Sequence, residues 1–226
     1  MKIDLSSKPH VVATVTQPDD LALVKTQSSP DCDVLEYRLD DLAGQVDEVI
    51  SLLEESRFPS LATVRRPDEG GANRLGDEER LEIYSRVIPH ADLVDVEVES
   101  LRLSNFQKLT ESAKVVGSFH NFETFPGETV IRKTVEDAYH LGAEIAKVAV
   151  VLETMDDLFA LTKIVEQQRG EGRLISAMGM GPLGRLSRLV LAKAGSCLNY
   201  GYLRVANAPG QWSAKELSDL LTKLTQ

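Results

Sequence analysis

The chain is poor in the residues and segments that characterise several common classes of protein. It has two cysteines, Cys32 and Cys197, among 226 residues, and aromatic residues make up 5% of it. Two cysteines cannot form the disulfide framework of a secreted scaffold, and the start MKIDLSSKPHVV lacks the basic-then-apolar order of a secretory signal. No uncharged apolar run approaches the roughly 20 residues that cross a bilayer. These absences predict a cytoplasmic protein without a transmembrane helix.

Positive charge is also scarce. Lysine and arginine together number 25 against 35 aspartate and glutamate residues, which gives a formal net charge of −10. A charge of this sign repels phosphate backbones and anionic lipid surfaces, so we expect neither nucleic acid nor a membrane as a partner. No low-complexity or Pro/Gly/Ser-rich linker interrupts the chain, and 42% apolar residues are enough for a core. The sequence therefore predicts one domain over residues 1–226.

What the chain does have is a regular alternation of short β-branched runs with longer stretches of helical apolar spacing. Thr154 with Asp157 and Ser213 with Glu216 have capping-box spacing, which indicates helix starts. With about 28 residues per strand and helix, the 226-residue chain is close to the minimum for eight βα units, and eight parallel strands close naturally. The pattern favours an α/β fold, a (β/α)8 TIM barrel. The predicted strands are 11–16, 34–40, 60–66, 91–98, 114–121, 144–151, 173–180 and 198–205.

An open, doubly wound parallel sheet is the alternative architecture. Such a sheet would place a G-x-G-x-x-G loop after the first strand, where this chain has VTQPDD. The second strand also ends in several charged residues rather than in one acid that could bind a ribose. Both observations favour the barrel.

Four predicted strands end in charged or polar residues, although strands of an all-parallel sheet should be almost wholly apolar. In a barrel, alternate strand residues face the interior, and catalytic groups lie at the carboxyl ends of the strands. These residues therefore predict a polar site, with a structural ion-pair network at the barrel mouth as the alternative. They are Glu36, Arg38, Asp40, Arg65, Arg66, Asp95, Glu97, Glu99, His120 and Asn121.

Lys147 stands inside EIAKVAVV, the apolar run of the sixth predicted strand. Burial disfavours the ammonium form of a lysine, and a neutral amine is the nucleophile that Schiff-base chemistry with a carbonyl substrate requires. The alternative is a lysine that only neutralises the acidic residues of the second and fourth strands. His120 closes the neighbouring fifth strand, about 4.8 Å away across the sheet, and histidine is the usual proton shuttle near neutral pH. A purely structural histidine is the alternative there.

Two glycine-containing segments follow the last two strands. GMGPLGRLSR, residues 179–188, leads into a helix at a position where barrels bind phosphate. ANAPGQWS, residues 206–213, has the composition of a mobile lid, with Gln211 as its polar tip. Either segment could also be a simple tight connection.

Together these residues resemble the type I 3-dehydroquinate dehydratases, the Schiff-base dehydratases of the shikimate pathway. The resemblance runs over nearly the whole chain, and His120 and Lys147 are separated by 27 residues as in the family. It implies conversion of 3-dehydroquinate into 3-dehydroshikimate and water, without a metal or an organic cofactor, in a homodimer. The motifs that carry it are EYRLD (36–40), TVRRPDEGG (63–71), SFHNF (118–122), AKVAV (146–150), GPLGRLSR (181–188) and APGQ (208–211).

The resemblance also implies roles for individual residues. Lys147 would form an imine with the C3 ketone of the substrate. His120 would remove a C2 proton as general base and then serve as the acid for loss of the C1 hydroxyl. The substrate would be held by Thr14, Glu36, Arg38, Arg65, Arg188, Asn207 and Gln211.

Three positions carry a more specific expectation. The guanidinium of Arg188 would pair bidentately with the substrate carboxylate. Asn207 stands where relatives often have a serine, and its amide can still hydrogen-bond a substrate oxygen. Glu69 aligns with an acid of the family, and a solvated loop carboxylate is the alternative. The arginines and Lys147 are expected to make a locally positive site inside an acidic surface.

Two other functions remain open. A class I aldolase also uses a lysine on the sixth barrel strand, but it usually needs a phosphate cradle after the last strands. ANAPGQW offers one glycine and a proline without an N–H, which is a poor cradle. A catalytically silent barrel subunit is the other possibility, and the presence of His120, Lys147 and Arg188 argues against it.

Overall fold

The structure is a computed structural model that describes residues 3–26, 31–56, 58–72, 74–206 and 210–225. Eight parallel strands form a nearly closed barrel with helices between them, which confirms the predicted (β/α)8 architecture. The strands are β1 (His10–Val15), β2 (Val34–Arg38), β3 (Ser60–Thr63), β4 (Leu93–Glu97), β5 (Val115–Asn121), β6 (Ile145–Val151), β7 (Leu174–Met180) and β8 (Leu198–Tyr202).

The helices follow the strands in chain order, and the fourth strand is followed by two short ones. Both predicted capping boxes are present: Asp157 donates its N–H to Thr154 Oγ1 at 3.2 Å, and Glu216 donates its N–H to Ser213 Oγ at 3.2 Å. Along the described part of the chain, no helix is long and apolar enough to cross a membrane. The helices are α1 (Pro18–Thr26), α2 (Val46–Glu55), α3 (Asp77–Val87), α4 (Val98–Leu101), α5 (Ser104–Gln107), α6 (Glu128–His140), α7 (Met155–Gly170), α8 (Gly184–Ala194) and α9 (Ala214–Thr225).

The barrel is closed by an irregular seam. Regular hydrogen-bonded ladders join each strand to the next in sequence from β1 to β7, and β1 also pairs with β8. Between β7 and β8, the Cys197 N–H donates to the Ile175 carbonyl at 2.8 Å, and the Ser176 hydroxyl donates to the Leu198 carbonyl at 2.7 Å. A side-chain hydroxyl thus replaces part of the backbone ladder at this seam.

The third strand is shorter than the predicted span 60–66 and ends at Thr63. The backbone N–H of Arg65 donates to Asp40 Oδ1 at 3.1 Å, and that of Arg66 donates to Glu97 Oε1 at 2.9 Å. Because carboxylates take these two donors, neither N–H joins a ladder with a neighbouring strand. Carboxylate binding therefore converts the end of the predicted strand into a loop at the barrel mouth.

The barrel interior is built in layers, because alternate residues of a strand face the same side. One layer is apolar and consists of Val12, Val34, Leu61, Leu93, Val116, Ile145 and Leu198. Two residues further along the same strands, the interior becomes polar. That second layer is Thr14, Glu36, Thr63, Asp95, Ser118, Lys147 and Tyr200, each at most 5% exposed.

Candidate active site

A cavity of about 230 Å³ lies directly beyond the polar layer of the barrel. Its walls come from the carboxyl ends of the strands, where the catalytic groups of TIM barrels lie. The structure brings eight of the predicted site residues to this cavity: Thr14, Glu36, Arg38, Arg65, His120, Lys147, Arg188 and Gln211. Asn207 lies outside the described residues.

Lys147 is almost fully buried, with 4% of its surface exposed. Its Nζ donates to Asp95 Oδ2 at 2.7 Å and lies 4.0 Å from Glu36 Oε1. The ring of Tyr200 lies beneath the same atom, with its centroid 4.1 Å away. The side chain that the sequence singled out is therefore held by carboxylates from two strands and by an aromatic face from a third.

A buried chain of alternating charges extends from Lys147 to helix α3. Asp95 accepts a hydrogen bond from Arg65 Nη2 at 2.8 Å through its second oxygen, and Arg65 Nη1 donates to Glu97 Oε1 at 2.9 Å. Arg80 on α3 pairs with the other oxygen of Glu97. Pairing of this kind offsets much of the cost of burying a charge. The ion-pair network considered as an alternative is therefore present, and Lys147 is part of it.

Asp95 occupies the centre of this chain of charges. Burial by itself would raise the pKa of Asp95, but the positive charges of Arg65 and Lys147 outweigh it and hold that pKa below its ordinary value. The hydroxyl of Ser118 also donates to Asp95 Oδ1, at 2.6 Å. Asp95 is thus a permanent negative charge beside the amine of Lys147.

His120 is held by a carboxyl group from the loop after β3. Glu69 Oε2 lies 3.0 Å from His120 Nδ1 and accepts the backbone N–H of His120 at 2.9 Å. The solvated alternative for Glu69 is wrong, because its side chain is only 10% exposed. This pairing fixes the imidazole ring, and Nε2 is the nitrogen available for proton transfer when Nδ1 donates to Glu69.

Both members of this pair are neutral near pH 7. Burial raises the pKa of Glu69 to about 8, against the opposing charge of Arg65. Burial and the charges of Arg65 and Lys147 lower the pKa of His120 well below its usual 6.5. Near pH 7 the contact is therefore a hydrogen bond between neutral groups, and Nδ1 becomes the donor, with Nε2 the free base, once Glu69 ionises.

The loop that carries Glu69 reaches His120 because of one glycine. Gly70 has φ +88°, and a Cβ at this position would lie 2.8 Å from the ring of Phe122. That ring stacks on His120, with centroids 6.2 Å apart and planes inclined by 12°. Gly70 thus allows the loop to pass close to the aromatic residue that covers one face of the imidazole.

Arg38 and Glu36 on β2 are held in place by neighbouring polar groups. Arg38 forms a two-point pair with Asp40, at 3.0 and 2.7 Å, and donates to the Gly70 carbonyl at 3.1 Å. Glu36 Oε1 accepts the hydroxyl of Thr63 at 2.9 Å. The two side chains therefore line the cavity in fixed orientations before any ligand arrives.

Arg188 differs from the other cations of the site. Its Nη1 donates to the Tyr200 carbonyl at 2.9 Å, but its buried Nε has no hydrogen-bond partner within the part of the chain that the structure describes. No charged group of the described chain offsets its burial, which lowers the pKa of Arg188 to about 10. The locally positive site expected from the sequence is thus confined to Arg188, because carboxylates neutralise Arg38, Arg65 and Lys147.

Comparison with known proteins decides between the possible functions of this site. The family model for type I 3-dehydroquinase matches residues 11–226. The chain belongs to the type I 3-dehydroquinase family. Its enzyme class is accordingly that of a dehydratase, a hydro-lyase, which disfavours the class I aldolase and the silent subunit.

Individual relatives agree with this family. The chain is 33% identical to the 3-dehydroquinate dehydratase of Methanocella arvoryzae, covering 92% of this chain and 94% of the relative. It is 32% identical to the catabolic 3-dehydroquinate dehydratase of Acinetobacter baylyi, covering 96% and 86%. Among solved structures, the 3-dehydroquinate dehydratase of Geobacillus kaustophilus superimposes with a TM-score of 0.85 at 26% identity, covering 97% of this chain and 92% of that one.

Thr14 and Gln211 complete the predicted substrate-binding residues that line the cavity. The hydroxyl of Thr14 donates to the Gly201 carbonyl at 3.4 Å, a long hydrogen bond that a ligand oxygen could replace. Gln211 is 7% exposed and lines the cavity from the segment before α9. In the described ranges, no group of three or more His, Cys, Asp or Glu side chains could hold a metal ion.

Sequence reasoning missed several residues of this site. Phe122, Met178, Met180 and Tyr200 also line the cavity. Tyr200 could have been found, because it follows Leu198 by two residues, as Lys147 follows Ile145, and so must face the same interior. Arg80 had no such signal, since it lies on an acid-rich helix whose pattern resembles a solvated surface.

Proposed function

We propose that this chain dehydrates 3-dehydroquinate to 3-dehydroshikimate through an imine formed on Lys147. The observation that carries the proposal is that one cavity contains the buried amine of Lys147, a neutral imidazole at His120 and the guanidinium of Arg188, which no described carboxylate offsets. A buried amine, a base and an anion-binding group are the three parts that a Schiff-base dehydration of a keto acid requires.

The first step joins the substrate to the protein. The Lys147 ammonium loses a proton, and the lone pair of Nζ attacks the C3 ketone. Two of the three ammonium protons leave with the carbonyl oxygen as water, so the C=N bond that remains keeps one N–H and is cationic. This iminium attracts electrons more strongly than the ketone and acts as an electron sink. Asp95, a carboxylate 2.7 Å from Nζ, remains beside the cationic nitrogen and stabilises it.

The second step eliminates water from C1 and C2. His120 takes the C2 proton, and the electron pair of that C–H bond moves toward the iminium nitrogen and gives an enamine. The electrons then return to form the C1–C2 double bond as the C1 hydroxyl leaves with the proton held by His120. Hydrolysis of the product imine restores Lys147. Glu69 keeps the imidazole in one orientation throughout, through its 3.0 Å contact with Nδ1.

The proposal assigns the other residues to substrate binding. Arg188 binds the substrate carboxylate, which provides the counter-charge that the free protein does not offer it. Glu36 and Arg38 hold substrate hydroxyls, and Arg65 contacts the substrate while orienting Asp95. Thr14, Asn207 and Gln211 supply further hydrogen bonds, with Gln211 closing the site from the segment before α9.

We further propose that the protein is a cytoplasmic homodimer with one domain over residues 1–226. The free thiols of Cys32 and Cys197 are consistent with a reducing compartment. Leu186 and Leu224, each 45% exposed, lie in an apolar groove between α7, α8 and α9 that could contact a second copy.

Trapping with borohydride tests the proposed function. The protein is incubated with 3-dehydroquinate and reduced, and peptides are analysed by mass spectrometry for an adduct on Lys147, with the exposed Lys163 as the internal comparison. Enone absorbance reports 3-dehydroshikimate in a parallel sample. No adduct and no enone absorbance would refute the proposal.

The His120→Ala variant separates the two steps. Because the imine is formed by Lys147, some trapping should persist in this variant, whereas turnover should be nearly abolished for lack of the base. Wild-type turnover by His120→Ala would remove His120 from the mechanism and leave the imine step standing.

A further inference from the structure

Tyr200, on β8, is the aromatic residue in contact with the reacting nitrogen of the site. The centroid of its ring lies 4.1 Å from Lys147 Nζ, and the residue is 4% exposed. Its hydroxyl is buried and has no hydrogen-bond partner among the residues that the structure describes. A buried polar atom without a partner costs free energy, so a favourable contribution of this residue has to come from its ring.

The face of an aromatic ring carries negative potential and attracts a cation within about 6 Å of its centroid, most strongly where water is excluded. Lys147 is cationic as an ammonium, and the same nitrogen is cationic again in the iminium. It is neutral in the attacking amine and in the enamine. A ring in this position therefore favours the protonated imine over the neutral imine, and only the protonated imine is a strong electron sink, so removing the ring should lower kcat.

We propose that Tyr200 is a further catalytic residue, whose ring face stabilises the iminium on Lys147. The inference rests on the proposed function, since it assumes that Lys147 forms the imine. The hydroxyl is not part of the effect, so phenylalanine should serve equally well at this position.

The other charged groups around Nζ do not make this contact redundant. Asp95 divides its two oxygens among Lys147, Arg65 and Ser118, and Glu36 is 4.0 Å away with one oxygen bonded to Thr63. Arg65, His120 and Arg188 also line the cavity, and none of them can stabilise a positive charge. Burial raises the pKa of Tyr200 well above its usual value, so the phenol contributes a ring and no negative charge.

The test compares Tyr200→Phe with Tyr200→Leu. The ring is kept in Tyr200→Phe, so kcat should stay within about threefold of the wild-type value, whereas Tyr200→Leu should lose about ten- to thirtyfold in kcat with a smaller change in KM. Tyr139→Leu is the matched control, because Tyr139 also lies under a cation, with Arg173 5.1 Å from its centroid, but it stands on α6 outside the cavity. Thermal unfolding of each variant reports its folding.

A fluorinated series keeps the shape of the ring and removes only its negative face. Phenylalanine with zero to four ring fluorines, introduced at position 200, should lower log kcat in steps as the number of fluorines increases. A kcat independent of fluorination, or a loss in Tyr200→Phe as large as in Tyr200→Leu, overturns the inference about Tyr200. Absence of an adduct on wild-type Lys147 instead overturns the proposed function, so the two failures are distinguishable.

Discussion

Replacing Arg188 by methionine should have opposite effects on stability and on substrate binding. Arg188 is 2% exposed and, among the described residues, it has one hydrogen bond, to the carbonyl of Tyr200, and no carboxylate to offset its charge. Methionine is similar in length, unbranched and apolar, so it can occupy the same space without a buried charge.

The magnitude follows from the pKa of Arg188. A folded-state pKa of about 10 lies well below the ordinary value of a guanidinium, and the difference corresponds to roughly 3 kcal/mol of destabilisation at pH 7, since one pKa unit is about 1.36 kcal/mol. Because folding lowers the pKa of this base, the unfolding free energy is not reduced above pH 12.5, and the full reduction is reached as the pH falls to about 10. Removing the charge regains this free energy, while losing the bond to the Tyr200 carbonyl costs about 1 kcal/mol. The net expectation for Arg188→Met is about 2 kcal/mol of added stability.

Binding should change in the other direction. A bidentate pair between a guanidinium and a carboxylate is worth about 3 kcal/mol, which is roughly a hundredfold in KM for 3-dehydroquinate. Urea unfolding at pH 7 and steady-state kinetics measure the two effects. Arg185→Met is the matched control, because Arg185 lies on the same helix, is exposed, and stacks on Trp212 at 4.7 Å. A variant Arg188→Met that loses stability and keeps the wild-type KM would refute the reasoning.

Two further predictions concern the groups behind the site. In the wild type, kcat should rise with pH through about 8, because ionised Glu69 makes His120 Nδ1 a donor and leaves Nε2 as a free base. In Glu69→Gln the side chain accepts a hydrogen bond at every pH, so kcat should no longer rise with pH. This variant should also lose the fall in unfolding free energy that the raised pKa of Glu69 causes between about pH 4.5 and 8. An unchanged dependence of kcat on pH would contradict the assignment. Arg80→Met, which leaves buried Glu97 short of a partner, should cost about 3 kcal/mol of unfolding free energy. Arg86→Met on the same helix, with its exposed partner Asp47, should cost under about 1 kcal/mol, and equal losses would contradict this.

The fold and the centre of the site were predictable because both depend on local period. A strand repeats every two residues, so a polar residue two positions after an apolar interior residue must enter the interior. This rule predicts Lys147 from Ile145 and Asp95 from Leu93, before any tertiary information is used. The reactive residues at the centre of the site can therefore be predicted from the sequences of the strands alone.

The rest depended on contacts between distant segments. Glu69 resembles a solvated acid in a loop of glycine and charge, and its burial depends on the close approach of Gly70 to Phe122. Arg80 lies in a helix whose sequence is typical of a solvent-exposed helix. It is nevertheless 1% exposed, because it forms an ion pair with buried Glu97. In both cases a partner far along the chain decides burial, and no local pattern contains that partner.

The distribution of charge explains how an acidic protein can bind an anionic substrate. Each cation that the barrel mouth holds next to the amine is already paired: Arg65 with Asp95 and Glu97, and Arg38 with Asp40. Arg188 alone, among the described residues of the cavity, carries a charge that its burial opposes and no carboxylate offsets. A ligand carboxylate would remove that penalty. In the proposed role of Arg188, relief of this burial cost would contribute part of the binding free energy for 3-dehydroquinate. With the proposed role of Arg188, the net charge of −10 is compatible with binding an anion, because recognition would depend on this cation of the described cavity and not on the total charge.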